Sequence, residues 1–431
     1  MVDLDIKVSR LTRVEGEGNI YLKVSNGKVE RLEVGIFEAP RFFEAFLVGK
    51  NYLEVPDITA RICGICPIPY LFSSSRSFEK LFGAKIPEEI QKLRKTLLLA
   101  EWIGSHVLHV FFLHAPDFLK CDSVIDMARD NPNIVKKALK VKAWGNRIIE
   151  KIGGRSVHPV SCRVGGFYRI IRKEELEDTL KTSEEIQETA RDLLEWVMKL
   201  KIPDRSNDLE YVSLRSMKGE YPLIGGRVVS SKGLNISEEE FEENSEEFQV
   251  PYSTALRYRI KNRGYYLTGP SARYNNNYNS LRKEVREVIE KYGYEAPLKN
   301  TYQSIVARAA ETYHATLEIE RLLREYKEPK RPYAEYNIKA GWSCGITEAP
   351  RGILYHAYKV DEEGRVIYAN IVAPTSQNLA CMEQDLLSQV PKIITLEYED
   401  AKLLTEQTIR NYDPCISCSA HFIKLKIDRV N

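Results

Sequence analysis

Three absences bound the reading. The chain has almost no net charge: 63 Lys and Arg against 61 Asp and Glu in 431 residues, so no overall field calls for nucleic acid or a membrane surface. It also has no long apolar run, since Val107–Leu113 is interrupted by His109 and falls far short of the ~20 residues of a membrane helix. Direct membrane insertion is therefore not expected. There are no repeats, no low-complexity linker and no apolar signal stretch. Eight cysteines in such a chain suit a reducing compartment, where thiols bind metals more readily than they pair. A cytoplasmic location is the expectation.

Iron–sulfur clusters are held by grouped cysteines. Four of the eight, Cys121, Cys162, Cys344 and Cys381, stand singly, and most of them read as small buried hydrophobes. The chain is thus expected to hold no iron–sulfur relay of its own.

What the sequence does have, at 43% hydrophobic residues, is enough apolar material for one large or two medium domains. Apolar and polar residues alternate through Ile20–Val24 and Val29–Ile36 around Asn26-Gly27, predicting a β-hairpin. Arg41-Phe-Phe-Glu44 leads into a short helix ending near Gly49. Pro87, the acidic residues after it and the face Ile90, Leu93, Leu97, Ala100 predict a helix to about Leu113. Further helices are expected at about 133–152, 174–201, 279–293, 303–327 and 378–409, with irregular or β structure at 208–270. A second hairpin is expected at Ile353–Val360 and Val366–Val372.

Two cysteine clips stand near the chain ends, Arg61-Ile-Cys63-Gly-Ile-Cys66 and Asp413-Pro-Cys415-Ile-Ser-Cys418. Two residues between cysteines let a tight turn aim both sulfurs at one ion, and two clips complete a tetrathiolate site. Paired zinc clips usually lie about 15–20 residues apart, whereas 348 residues separate Cys66 from Cys415 (415 − 66 − 1). Long closures are thermodynamically tolerable, so spacing alone leaves a structural zinc and a catalytic metal level. The company of the clips favours catalysis: Arg61 before the first, Asp413 before the second and His421 after it would serve little purpose at a closed zinc site.

Taken together, these clips resemble the two signatures of the large, catalytic subunit of nickel–iron hydrogenases. Arg13-Val-Glu15-Gly16, Arg41-Phe-Phe-Glu44, Ser105-His106 through Asp117, His158-Pro with Gly165-Gly166, Thr347-Glu-Ala-Pro350-Arg351-Gly352 and Ala373-Pro374-Thr375 with Asn378 follow in family order. The resemblance spans essentially the whole chain and is most like the cytoplasmic multi-subunit bidirectional group. It implies a predominantly α fold with small β-hairpins and sheets (α+β), one large-subunit domain over 1–431 whose ends meet at its centre, and a maturation extension at 422–431, removed by a dedicated protease. It implies nickel on Cys63, Cys66, Cys415 and Cys418, with Cys66 and Cys418 bridging to an iron that carries one carbon monoxide and two cyanides. Dihydrogen would be split heterolytically there. Cys415 and then Glu15 would take the proton. Arg351, held by Asp117 and Asp413, would hang over the metals, with Pro374 and Thr375 around the diatomic ligands. Glu44, His421 and the Ile371 carbonyl would hold a second metal, magnesium. The implied partners are further electron-transfer subunits together with an iron–sulfur small subunit. One departure is Tyr70, where many members carry a histidine bonded toward a bridging sulfur. A hydrogen-sensing homologue of low turnover would keep the same site. The quinone-site relative in respiratory complex I has lost the cysteines present here.

Overall fold

The computed structural model describes residues 3–420; the expectations placed on His421 and on 422–431 lie outside them. Strands β1 (Leu4–Val8), β2 (Gly18–Ser25) and β3 (Lys28–Ile36) form an antiparallel sheet in that order. The β2–β3 hairpin is the expected one. Its turn residues Asn26 and Gly27 both take positive φ, 53° and 75°, the geometry that makes Asn-Gly the strongest short hairpin signal. β1, not expected from the sequence, pairs Ile6 with Leu22.

Helices α1 (Phe43–Leu47), α2 (Val55–Ala60), α3 (Pro67–Phe82) and α4 (Glu88–Val107) follow. α1 and α4 are as expected, but α2 and α3 are additions. In α3 the run Ser73-Ser74-Ser75 hides the apolar period, yet all three serines are buried because the helix packs against a strand at Gly341–Ala349. The Ser73 hydroxyl finds the Pro69 carbonyl at 2.7 Å, a bond that lets a serine sit inside a helix. Gly345 allows the approach: a Cβ there would stand 2.2 Å from the Ser73 carbonyl oxygen.

α4 runs on through a π-helical turn, Leu108–His114, into a last turn ending at Leu119. This continuous run is longer than the apolar stretch visible in the sequence. Over Glu88–Leu119 an 18-residue window reaches mean hydropathy 1.5, enough to cross a membrane by length and composition, but 83% of it is buried inside the protein. It is the axis of the main hydrophobic core, packed against the helices Pro132–Gly153 and Ser304–Glu325.

Other expected helices appear at Ser183–Val197 and Lys283–Tyr292, and six short β-strands lie within 208–270 among irregular segments. The span 378–409 is two helices, Pro374–Ile393 and Tyr398–Arg410. Pro391 lacks an N–H and crowds the carbonyl four residues back, and the first helix ends two residues later. The second hairpin, Gly352–Val360 with Val366–Val372, gains Gly341–Ala349 as a third antiparallel strand. A second core surrounds this sheet and includes all four clip cysteines.

Candidate metal centre

The first clip is a turn between α2 and α3. Cys63 Sγ accepts the backbone N–H groups of Ile65 at 3.3 Å and Cys66 at 3.2 Å, which aims the sulfur inward. Cys66 stands at the N-cap position of α3, without a side-chain capping bond. The second clip follows the Tyr398–Arg410 helix. Asp413 takes a left-handed φ of 52°, and Cys415 N donates to Thr375 Oγ1 at 3.0 Å.

Residues from the N-terminal quarter join the two clips. Ile416 N donates to the Glu15 carbonyl and Ser417 N to Glu15 Oε2, both at 3.0 Å. Gly16 lies so close that a Cβ would stand 2.7 Å from Ile416 Cβ. Arg41 spans the gap, donating Nη2 to the Ile62 carbonyl beside the first clip at 2.9 Å and to the Ser417 carbonyl in the second. In the sequence Arg41 stands within a motif, with no sign of this clamp.

All four sulfurs are buried and lie within 4.8 Å of one another. Cys63–Cys66 and Cys415–Cys418 are 3.0 Å apart, Cys63–Cys415 3.4 Å and Cys66–Cys418 3.7 Å. Sulfurs 2.3 Å from one ion in a tetrahedron stand roughly 3.8 Å apart, so small outward movements would seat a metal. Soft thiolates suit nickel and iron, and the donor set fits them. Burial opposes ionisation of Cys63, but hydrogen bonding from Cys415, Cys418 and Cys66, with the Arg351 charge, holds its thiol well below the ordinary value. Hydrogen bonding to Cys418, Cys63 and Cys66, with burial, pushes Cys415 up. The cluster thus gathers thiols that share protons until a cation replaces them.

Arg351 stands over this cluster, donating Nε to the Asp413 carbonyl at 2.6 Å and Nη2 to Asp413 Oδ1 at 3.0 Å. Its other side meets the Ser105 hydroxyl at 3.3 Å. The expected second carboxylate does not hold Arg351. Asp117 is instead forked by Arg410 at 2.8 and 2.9 Å and bound by Arg13 at 2.5 Å, two cations nearer to it after the π-helical turn. Ser105 takes the place expected of Asp117, and its presence in the Ser105-His106 motif was the available signal. Pro374 starts the helix that carries Thr375. Glu44 Oε1 accepts the Ile371 N–H at 2.6 Å, so two of the three expected second-metal residues meet, while His421 lies outside the described residues. The bond runs through the Ile371 amide, not the carbonyl expected to bind metal.

Two further buried groups face the cluster. Tyr70 is fully buried, its hydroxyl without an oxygen or nitrogen partner among the described residues. Burial and then the sulfurs of Cys418, Cys66 and Cys63 raise it well above the ordinary phenol value. Glu101 Oε1 accepts the Ile68 N–H at 2.9 Å, and burial holds this carboxyl well above its usual range.

Behind the centre lies a polar layer. His106 Nε2 is 2.9 Å from Glu311 Oε2, His109 Nε2 meets the Arg410 carbonyl at 2.8 Å, and His114 Nε2 meets Asn411 Oδ1 at 2.9 Å. His314 Nδ1 accepts the Arg282 N–H at 3.2 Å. Burial pushes His106 and His314 down to about 4, and His109 and His114 well below their ordinary value. All four are therefore neutral, packed histidines. Burial raises Glu348 to about 7 although Arg273 Nη1 lies 2.9 Å from it.

A buried four-sulfur cluster flanked by a carboxylate and a fixed guanidinium defines a thiolate metalloenzyme. A family model described as nickel-dependent hydrogenase matches residues 41–140 and 230–421. The alpha chain of sulfhydrogenase 2 from Pyrococcus furiosus is 33% identical over 423 residues, covering 97% of this chain and all of that one. A vhc F420-non-reducing hydrogenase chain from Methanococcus voltae is 31% identical, covering 97% of this chain and 95% of its own. Among solved structures, an NAD+-reducing [NiFe]-hydrogenase in its H2-reduced state superposes with a TM-score of 0.89 at 25% identity, covering 98% of this chain and all of that one. The chain belongs to the nickel-dependent hydrogenase family. It is an oxidoreductase acting on hydrogen, built on nickel and iron.

Proposed function

We propose that this chain is the catalytic subunit of a reversible hydrogenase in which Cys63 and Cys415 bind nickel terminally, and Cys66 and Cys418 bridge it to an iron carrying carbon monoxide and two cyanides. The observation carrying this reading is the set of four buried sulfurs lying between Arg351 and Glu15. When bound, the metals would supply the Lewis acidity that polarises dihydrogen, itself a very weak acid, so that one hydrogen can leave as a proton while the other keeps the electron pair.

The chain's own residues do the rest. A terminal thiolate, Cys415, accepts the proton at Sγ. Glu15 lies next in line because its backbone pairs with Cys415 and its Oε2 reaches Ser417 N, so its carboxylate can pass the proton outward. Arg351, locked by three hydrogen bonds, offers a fixed cation to charge that develops over the cluster. Thr375 meets the second clip, its hydroxyl oxygen occupied by Cys415 N and its proton left to donate, and Pro374 precedes it at the start of the helix. Core burial keeps bulk water from the sulfurs.

Electrons leave through an iron–sulfur small subunit, then further electron-transfer subunits, a reading supported by relatives named as alpha subunits and by the solitary setting of the remaining cysteines. A cytoplasmic setting fits eight free cysteines. Glu44, the Ile371 segment and His421 form a magnesium site, and a maturation protease removes 422–431 once nickel is in place. Purified enzyme analysed for metals, with infrared detection of carbonyl and cyanide stretches, tests the reading. Nickel, iron and those bands are expected; one zinc and no such bands would overturn it.

A further inference from the structure

Arg308 sits on the inner face of the Ser304–Glu325 helix and is 2% exposed. Its Nη1 donates to the Asn411 carbonyl at 3.1 Å, but its Nε has no acceptor among the described residues. Asp413 presents the complementary deficit. Oδ1 accepts from Arg351 Nη2 at 3.0 Å, whereas the equally buried Oδ2 has no donor among the described residues. A buried polar group without a partner is destabilising, the more so when charged. Asp413 and Arg308 also feel each other: burial lowers the guanidinium to about 10, and the Asp413 charge is the strongest influence in the other direction.

The backbone supplies a second, independent sign. Asp413 holds a left-handed φ of 52°, a conformation uncommon outside glycine, asparagine and aspartate that is kept where surroundings over-determine it. Ser304 Oγ and Arg308 Nη1, one turn apart, both donate to the Asn411 carbonyl, at 2.7 and 3.1 Å. They pin the chain two residues before Asp413. A donor and an acceptor, both buried, charged and short of one bond, are what an internal water bridges.

We propose that Arg308 is a positioning residue of the metal centre: through one internal water it holds Asp413 Oδ2, and Asp413 in turn holds Arg351 over the four sulfurs. This rests on the reading of that cluster as the nickel–iron site. Arg308 also places a second fixed cation behind four thiolates, which favours the more negatively charged, reduced forms of the centre. Partners one layer behind a metal's surroundings typically change affinity or activity by 10–100-fold.

The test uses the assembled enzyme with Arg308→Gln and Arg308→Lys. The expected result for Gln is a fall in kcat for hydrogen oxidation of about 10–100-fold, an unchanged KM and a midpoint potential of the centre moved to more negative values. Lys, which keeps the charge, is expected to restore the potential and most of kcat. A high-resolution structure of the assembled parent enzyme is expected to show one water within hydrogen-bond distance of both Arg308 Nε and Asp413 Oδ2. A purely structural arginine would lower the melting temperature of both variants and leave the potential alone, and that pattern overturns the proposal. So does a dry gap between the two side chains. An active, nickel-containing parent with indifferent variants overturns this inference alone, whereas a parent without nickel or turnover overturns the hydrogenase reading beneath it.

Discussion

Replacing His106 by Gln is expected to cost less stability at pH 5 than at pH 7, and the size of the change follows from burial. His106 is completely buried beside Glu311 and stays neutral down to about pH 4, while the unfolded chain takes up a proton near 6.5. Below 6.5 the unfolded state therefore binds more protons, so the contribution is intact above that value and is lost as pH falls toward 4. At pH 5 an unfolded pKa of 6.5 against a folded one of about 4 corresponds to about 2 kcal/mol. His314, also pushed down to about 4, loses a similar amount. Glu348 acts with the opposite sign: its folded pKa is raised to about 7 from 4.5, so it is stabilising at low pH and loses that contribution as pH rises through 7. The comparison of variant with parent removes Glu348 and the thiols, since they are common to both. Urea unfolding of parent and His106→Gln at pH 7 and pH 5 should show the gap narrowing by about 2 kcal/mol, with a further narrowing when His314→Gln is added. A gap that stays constant between the two pH values would refute the reasoning, because it would mean His106 is equally protonated in both states.

Arg41→Ala removes two charged donors to carbonyls on opposite clips; with partial exposure, roughly 1–2 kcal/mol of clip preorganisation is lost. Nickel retention under chelator challenge should fall about tenfold, and equal retention would count against the clamp. Glu15→Gln should keep both metals while slowing turnover and hydrogen isotope exchange by at least about 10²-fold, and unchanged exchange would remove Glu15 from the proton route. Tyr70→Phe deletes a buried hydroxyl without an oxygen or nitrogen partner among the described residues, so unfolding should shift by less than about 1 kcal/mol while the midpoint potential of the centre falls. A large loss of stability with no change in potential would show the hydroxyl to be structural.

Much of this fold was legible wherever one face of an element decides its burial. The β2–β3 hairpin followed from period-two alternation and Asn26-Gly27, and α4 from its apolar stripe. α3 was not, because its serines are buried only by a strand some 270 residues later in the chain, closing on it at Gly345. At the site, the cysteines, Glu15 and Arg351 that the order of motifs singles out lie beside one another in the structure. Asp117 was misassigned because the π-helical turn between Ser105 and Asp117 breaks the helical phase, so counting residues does not tell which one faces the sulfurs. Arg308 carried no signal at all: an arginine inside a helix reads as surface until its neighbours are known.

The pairing of Glu15 with Cys415 and the clamp of Arg41 across both clips give the site the character of a completeness check on the polypeptide. A chain released anywhere before Asp413 carries two of the four sulfurs and neither the Arg351 carboxylate nor the segment that Glu15 receives. Such a fragment can offer a metal only half its ligands, and nothing shorter than the chain through Cys418 can make a tight site. Once both clips close on one ion, that ion ties residue 63 to residue 418 as a cross-link would, and the longer the loop it closes the more unfolded freedom it removes. On the proposed reading, metal loading would therefore also lock the fold, and only after Cys418 has been added.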